Sequence, residues 1–122
     1  MMDEELYGMI PFVAPELLSG NPRYSQKADI YNLGILLWVI SSGRLPFNDL
    51  NYNITLLLAI INGKREQKIL DTPPDYHGLC NACWNGNPEE RPNIKEVYHK
   101  LKRIIEGTRD NSFNLIYDFA IY

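Results

Sequence analysis

The longest apolar stretch of the chain lies in SQKADIYNLGILLWVISSG, and its pattern predicts a helix between Ser25 and Gly43. Ser25 is a suitable N-cap because its hydroxyl can accept a hydrogen bond from an unpaired amide of the first turn. Gly43 suits the left-handed position that follows a last turn. Almost every position between them is apolar, and a helix that is apolar all round is expected to be buried all round.

Three shorter helices are predicted further along the chain. The first spans Ile54 to Asn62, with Asn51 or Asn53 to start it and Gly63 to stop it. The second and third cover about 76–84 and 93–107. The coarse pattern is therefore that of a mainly α protein.

The boundaries of the last two helices rest on specific residues. The pair Pro73 and Pro74 predicts a backbone that is not helical at either residue. In the last helix Asn93 and Glu96 form a capping box, and Gly107 closes the end. Its apolar positions fall on one face: Ile94, Val97, Leu101, Ile104 and Ile105.

After Gly107 the pattern changes to an alternation typical of a strand. The apolar positions of TRDNSFNLIYDFAIY are Phe113, Leu115, Tyr117, Phe119 and Ile121. No partner strand is predicted elsewhere. Two interpretations stay open: residues 108–122 are a frayed end, or they are a tail that docks on exposed apolar surface.

Composition and charge exclude several classes of function. A chain of 122 residues is about one domain, and 45% hydrophobic with 22% charged residues is typical of a globular protein. A net charge of -3 argues against a nucleic-acid partner. The acidic start MMDEELYG does not resemble a signal peptide, and ILLWVI is far shorter than the ~18 apolar residues that cross a bilayer. We therefore expect no membrane partner and a cytoplasmic location.

Two cysteines, Cys80 and Cys83, suggest a metal or redox site at first sight. His77 and His99 would complete four zinc ligands, but the second closely spaced pair of a zinc site is missing. A redox dithiol would need a preceding strand, and none is predicted. The sequence favours two small core residues one helical turn apart, with no metal.

A carboxylate and a guanidinium form the main polar prediction. Glu16 lies in the apolar run PFVAPELL, where a buried charge needs a partner. Arg91 lies between Pro88 and Pro92, and its planar fork suits a carboxylate. We expect the two to pair, although 75 residues separate them and spacing alone does not show that they meet.

Four motifs, in this order and spacing, resemble the C-terminal half of a eukaryotic protein kinase domain. They are APE (14–16), DIYNLG (29–34), SSGRLPF (41–47) and CWNGNPEERP (83–92). The run GMIPFVAPE and the pair CW are most similar to the tyrosine-kinase-like group, which includes serine/threonine kinases. The match covers about residues 7–106. It implies a helical C-terminal lobe, with the N-terminal lobe and the catalytic loop absent, in residues 1–107, and a C-terminal tail in 108–122.

The resemblance implies roles for particular residues. Glu16 would pair with Arg91 and tie the end of the activation segment to the loop before the last helix. Asp29 would accept hydrogen bonds from the backbone of the catalytic loop. The helix Ile54 to Asn62 would help to grip substrates and regulators. A loop would line the site for a peptide substrate: Met9, Ile10, Pro11 and Phe12.

Two departures from the family pattern are visible. Met9 stands where serine/threonine kinases often have a threonine. The sequence therefore does not predict whether the substrate hydroxyl belongs to serine or threonine or to tyrosine. Tyr31 stands where many members have tryptophan. The motifs HRD, DFG and GxGxxG, which the family uses for ATP, magnesium and catalysis, do not occur in the chain.

Two functions follow as expectations. The chain is a fragment of a protein kinase, whose family uses ATP and magnesium to phosphorylate proteins, and it has no catalytic or cofactor-binding residues of its own. Alternatively it is a helical docking module without catalysis. In both cases the partners are protein or peptide substrates and regulators.

The resemblance also changes the expectation for the long apolar helix. In a whole kinase domain other segments would cover it, so one side is expected to be exposed here and to promote association. The exposed side is expected to include some of Leu33, Leu36, Leu37 and Ile40.

Overall fold

A computed structural model describes residues 8–21 and 25–107, and within these ranges the chain is helical. The helices are α1 (Pro15–Leu18), α2 (Gln26–Ser42), α3 (Ile54–Ile61), α4 (Pro74–Cys83) and α5 (Ile94–Gly107). Short 3-10 turns span Ile10–Phe12 and Pro88–Glu90. No strand occurs in the described ranges, so the mainly α fold class is confirmed. The predicted alternating tail, residues 108–122, lies outside them.

The predicted bounds of α2 are confirmed, but one detail of its cap is wrong. Gly43 adopts the left-handed conformation with φ 71°, and its N–H donates to the carbonyl of Val39 at 2.8 Å. Ser25 has the extended backbone of an N-cap, yet its side chain makes no capping hydrogen bond. Packing of α2 in the core compensates for the missing bond, because tertiary burial supplies most helical stability.

The expectation that α2 is buried all round is wrong, and the expectation of one exposed side is confirmed. Residues on one side, which we call the open face of α2, are Asp29, Leu33, Leu36 and Ile40. Leu36 is 41% exposed and Ile40 is 75% exposed, and Leu33 is half-buried. Leu37 is buried instead, because it points towards α4 and α5.

Local residues set the N-terminal ends of the shorter helices. Asn53 caps α3, since its Oδ1 accepts hydrogen bonds from the amides of Thr55 at 3.0 Å and Leu56 at 3.2 Å. The prediction that the double proline excludes helix was wrong for Pro74, which begins α4. A proline lacks only an N–H that the first turn would leave unpaired.

The predicted capping box of α5 is confirmed. The amide of Glu96 donates to Oδ1 of Asn93 at 2.8 Å, and the amide of Asn93 donates back to Glu96 at 3.4 Å. The predicted apolar face is correct for Val97, which is buried, but Ile94 is 63% exposed. Ile94 lies in the first turn, beside the open face of α2, where the described residues leave it uncovered.

Two buried clusters organise the fold. The main cluster joins α2, α4 and α5 around Trp38, Leu79 and Cys83. Gly34 allows α2 and α4 to approach closely, because a Cβ there would lie 2.7 Å from the Cβ of Cys83. The second cluster packs Ile10, which lies in the N-terminal loop before α1 (residues 8–14), against α3 and Phe47. The loop is therefore fixed on the helices by an apolar anchor as well as by polar contacts.

Candidate functional site

Arg91 is the most deeply buried charged residue of the described ranges. It follows the turn Pro88–Glu90 with an extended backbone, φ -75° and ψ 142°, and is only 2% exposed. The turn places its Nε 2.8 Å from the carbonyl of Asn85, to which it donates. One NH1 hydrogen bond, 2.9 Å long, goes to the carbonyl of Lys27 in α2. The guanidinium therefore joins the loop before α5 to the first turn of α2.

The structure brings Glu16 and Arg91 together in a bidentate pair. NH1 of Arg91 donates to Oε2 of Glu16 at 2.8 Å, and NH2 donates to Oε1 at 2.8 Å. The arginine side chain is 0% exposed and the glutamate side chain 15%. Glu16 lies in the first turn of α1, where a carboxylate also meets the positive end of the helix. The pair thus ties the segment that ends the N-terminal loop to the body of the fold.

Tyr31 lies against this pair and against a second arginine. The guanidinium carbons of Arg91 and Arg65 are each 5.1 Å from the centre of its ring. Arg65 also donates to the carbonyls of Trp84 and Ile60, both at 2.9 Å. Tyr31 therefore supplies an aromatic face for two cations, a role that an indole could also fill. Arg65 lies after the end of α3, and no spacing pattern in the chain indicates its place here.

The ionisation of Glu16 reflects its partners. Burial by itself would raise its pKa, but the hydrogen bonds and charge of Arg91, with a smaller contribution from Arg65, hold the pKa below its ordinary value of 4.5. Because the pKa is lower in the folded state, the pair stabilises the fold at pH values above the ordinary pKa of 4.5. That stabilisation is lost as the pH falls through the folded-state pKa.

We expect Glu16→Gln to be less stable than the unmodified chain near neutral pH. The difference should shrink as the pH falls from about 4.5, where Glu16 of the unfolded chain takes up a proton, through the lower pKa of Glu16 in the folded chain. Urea unfolding at a series of pH values measures it. Glu89→Gln, which changes an exposed carboxylate on the neighbouring turn, is the matched control and should have little effect. If the difference in the free energy of unfolding between Glu16→Gln and the unmodified chain stayed constant at acidic pH, the pairing of an ionised Glu16 with Arg91 would be contradicted.

The four residues predicted to line a peptide site occupy different environments. Met9 is 54% exposed, Ile10 is 1% exposed, Pro11 is buried and Phe12 is half-buried. Ile10 packs into the second cluster with α3, and Phe12 packs against the main one. Among these four side chains only that of Met9 is largely exposed, and the others pack against the rest of the fold.

Asn32 makes a tertiary contact that sequence reasoning missed. Its Nδ2 donates to the carbonyl of Phe12 at 3.0 Å, which links the loop directly to the second turn of α2. Asn32 belongs to the quoted motif DIYNLG, but its hydrogen bond depends on a tertiary contact. A polar residue inside an otherwise apolar helix was the available signal.

Asp29 lies in the first turn of α2 with an exposed side chain. It lines a cleft of about 410 Å³ together with Leu33 of the same helix and Ile94 of α5. Its position at the N-terminal end of the open face is where the resemblance implies contact with a catalytic loop. The role of Asp29 stays a prediction.

The two cysteines are free and buried in the main cluster. Burial raises the pKa of the Cys80 thiol to about 12 and that of Cys83 to about 11, so neither forms a thiolate readily at neutral pH. No cluster of three metal-binding side chains occurs in residues 8–21 and 25–107. None of the helices in the same ranges is long and apolar enough to cross a membrane.

Comparison with known proteins identifies the family. The family described as protein tyrosine and serine/threonine kinase matches residues 1–101. A probable LIM domain-containing serine/threonine-protein kinase of Dictyostelium discoideum is 38% identical over 97 residues, which are 79% of this chain and 14% of that protein. Dual specificity protein kinase shkD of the same organism is 36% identical over 104 residues, 84% of this chain and 14% of its own length.

A relative from a different organism also matches most of the chain. Mitogen-activated protein kinase kinase kinase 7 of Bos taurus is 32% identical over 91 residues, which are 74% of this chain and 16% of that protein. The chain therefore spans only a small part of the length of the curated relatives that it matches. It belongs to the protein tyrosine and serine/threonine kinase family and is a fragment of a protein kinase domain.

Proposed function

We propose that this fragment supplies the peptide-binding helical lobe of a cytoplasmic protein kinase that transfers phosphate from ATP and magnesium to protein substrates. The observation that carries the proposal is the buried bidentate pair between Glu16 and Arg91. The pair, the hydrogen bond of Asn32 and the apolar anchor Ile10 hold the loop before α1 in one place. A loop that is already ordered favours peptide binding, because a mobile loop would lose conformational entropy when the peptide binds.

The position of Met9 supports contact with a peptide. Its side chain is exposed beside the rigid part of the loop, and its thioether can adapt to apolar partners of different shape. The substrate class proposed is therefore a protein segment with an apolar residue at the position that meets Met9. This part of the proposal concerns binding only.

Phosphate transfer depends on groups that residues 1–122 do not contain. The reaction consists largely of positioning and of charge stabilisation by a catalytic aspartate, a lysine, a glycine-rich loop and magnesium. The motifs that supply them do not occur in the sequence. We therefore propose that the fragment alone neither binds ATP nor phosphorylates proteins, whatever the longer protein does.

Calorimetry with Mg-ATP and radiolabel transfer to generic peptide substrates test this expectation on residues 1–122. No saturable heat and no transfer above the background without enzyme are expected. An intact kinase domain serves as the positive control in both assays. Saturable ATP binding, or transfer that is lost when the fragment is denatured, would overturn the expectation.

A second candidate function, a docking module for regulatory proteins, is favoured by the outer surface of α3. Ile54 is 53% exposed and Leu58 is 52% exposed, and they lie one turn apart on the same face. The neighbouring Leu50 is 43% exposed. Three apolar side chains on one surface are suited to a partner helix or to an apolar segment.

A peptide array probed with the labelled fragment separates the two candidates. Under the first proposal Met9→Ser should remove binding and Leu58→Ser should leave it. Under the docking candidate the effects should be reversed. Both substitutions change exposed side chains, so neither is expected to unfold the fragment.

A further inference from the structure

A cleft rich in basic side chains lies between the loop that follows α2 and the loop that follows α3. Its volume is about 420 Å³. The first loop contributes Arg44 and residues 47–50 to its lining, and the second contributes residues 64–69. We call it the interloop cleft.

The interloop cleft lies on the side of α2 away from the open face. The guanidinium carbon of Arg44 lies 5.7 Å from the ring centre of Trp38. Trp38 is two positions from both Leu36 and Ile40, so it points to the opposite side of the helix. The cleft is therefore separate from the surface that further segments of a kinase domain are expected to cover. It also shares no lining residue with the N-terminal loop that holds Met9.

Two hydrogen bonds fix the walls of the cleft. The amide of Phe47 donates to Oε1 of Glu66 at 2.6 Å, which joins the two loops. Nε1 of Trp38 donates to the carbonyl of Gln67 at 2.9 Å, which joins the second loop to α2. Phe47 is only 5% exposed and packs in the second cluster. The cleft is therefore formed before a partner binds, which lowers the entropic cost of binding.

Three cations of the cleft have no carboxylate partner in the described part of the chain. Arg44, Lys64 and Lys68 are exposed, and none of them forms an ion pair within residues 8–21 and 25–107. The fourth cation, Arg65, points inward, and its guanidinium carbon lies 5.1 Å from the ring centre of Tyr31. Three charges are thus available to a partner from outside.

The acidic side chains of the cleft do not balance these charges. Two acidic residues, Asp49 and Glu66, line it beside four basic ones. Glu66 already accepts hydrogen bonds from the backbone amides of Phe47 and Gln67. The cleft is therefore positive in a chain whose net charge is -3, and a concave surface of one sign attracts ligands of the opposite sign.

The places of the three cations favour several carboxylates over a single phosphate. Arg44 lies just after the end of α2, and Nζ of Lys64 lies 5.9 Å from the ring centre of Phe47. Burial first, and then the charge of Lys68, lower the pKa of His77 on α4. The three cations thus lie beside different elements. A phosphate is bound best by donors that converge on it, whereas carboxylates spaced along a peptide can meet cations that are apart.

We propose that the interloop cleft binds an acidic segment of a partner protein, whose carboxylates pair with Arg44, Lys64 and Lys68. Each of these pairs is exposed and contributes little by itself, so the affinity depends on several pairs together. The same exposure makes the binding sensitive to salt. The proposal does not rest on the function proposed above, because the N-terminal loop takes no part in the site.

Titration of the isotope-labelled full chain with a synthetic peptide, followed through amide chemical shifts, tests this proposal. The probe is a capped peptide in which glutamate and glycine alternate. One control peptide has glutamine in place of every glutamate, and another has a single phosphoserine among glutamines. The glutamate peptide should shift the amides of residues 44–50 and 64–69, and its affinity should fall as salt is added. The glutamine peptide should not bind.

Substitutions assign the binding to the cleft. Arg44→Gln, Lys64→Gln and Lys68→Gln should each weaken the glutamate peptide by up to about fivefold, and together by about tenfold or more. The matched control removes three exposed cations from the convex surface of α5: Lys95→Gln, Lys100→Gln and Lys102→Gln. This control has the same net charge as the cleft variant, and it should weaken binding by about twofold at most. Unchanged amide shifts of α4 show that both variants are folded.

Four results would overturn the proposal. The absence of saturable shifts with the glutamate peptide would mean that the cleft takes no acidic segment. An equal loss of affinity in the α5 control would mean that net charge, not the cleft, attracts the peptide. Binding of the phosphoserine peptide alone would make the cleft a phosphate site. Equal affinity for an oligothymidylate of the same charge would mean that the cleft takes any polyanion.

Discussion

Replacement of Arg91 by alanine is expected to lower the free energy of unfolding by about 3 to 5 kcal/mol, because it leaves one charge of a buried pair without its partner. The arginine side chain is 0% exposed, and its loss also removes the donors to the carbonyls of Asn85 and Lys27. Urea unfolding followed by circular dichroism measures the change.

Two variants make the result specific. Arg91→Lys keeps the charge but not the planar fork, so it should lose a smaller but clear part of the stability. Arg103→Ala removes an exposed cation from α5 and should change stability very little. A loss for Arg91→Ala below about 1 kcal/mol, the range of an exposed pair, would refute burial of the pair.

Gly34→Ala is expected to lower the free energy of unfolding by up to about 2 kcal/mol, because overpacking of a filled core costs about 1 to 3 kcal/mol and alanine returns about 1 kcal/mol of helix propensity. The added Cβ would lie 2.7 Å from the Cβ of Cys83 and 3.2 Å from the carbonyl oxygen of Cys80. Neither atom lies at the end of a flexible side chain, so α2 and α4 must separate to make room. This cost outweighs the gain of about 1 kcal/mol that alanine brings to a helix interior.

Gly78→Ala is the matched control for this effect. Gly78 is exposed in α4, and a Cβ there would meet no atom within 4 Å. The substitution should therefore raise stability by about 0.5 to 1 kcal/mol. Thermal unfolding of both variants should give shifts of opposite sign. Two shifts of the same positive sign would contradict the close approach of α2 and α4.

Local patterns predict the elements of this fold well. The caps Asn53 and Asn93 and the terminal Gly43 act within one helical turn, so the sequence next to them contains the information. Ser25, whose side chain makes no capping hydrogen bond, and Pro74 were exceptions, and a proline either excludes or begins a helix according to its place in the first turn. Whether a proline lies before a helix or at its first position depends on where the helix begins, and the local sequence does not fix that residue.

The site depends on contacts over long separations, and these were predictable only in part. The chemistry of Glu16 and Arg91 suggested a pair, because the charge of Glu16 in an apolar run needs a partner and the planar fork of Arg91 suits a carboxylate. The polar Asn32 inside an apolar helix indicates that a partner exists but not that the partner is Phe12, and the place of Arg65 beside Tyr31 has no signal in the sequence. Burial of Ile10 likewise depends on the path of α3, which no local pattern fixes.

A double-mutant cycle between Glu16 and Arg91 tests most directly whether this pair holds the loop on the helices. Unfolding free energies are measured for the unmodified chain, Glu16→Ala, Arg91→Ala and the double variant. The bidentate, charge-assisted geometry predicts a coupling free energy of about 1.5 to 3 kcal/mol. A parallel cycle of Glu16 with the exposed Arg103 should show additive effects. Additivity within about 0.5 kcal/mol for Glu16 and Arg91 as well would contradict the account.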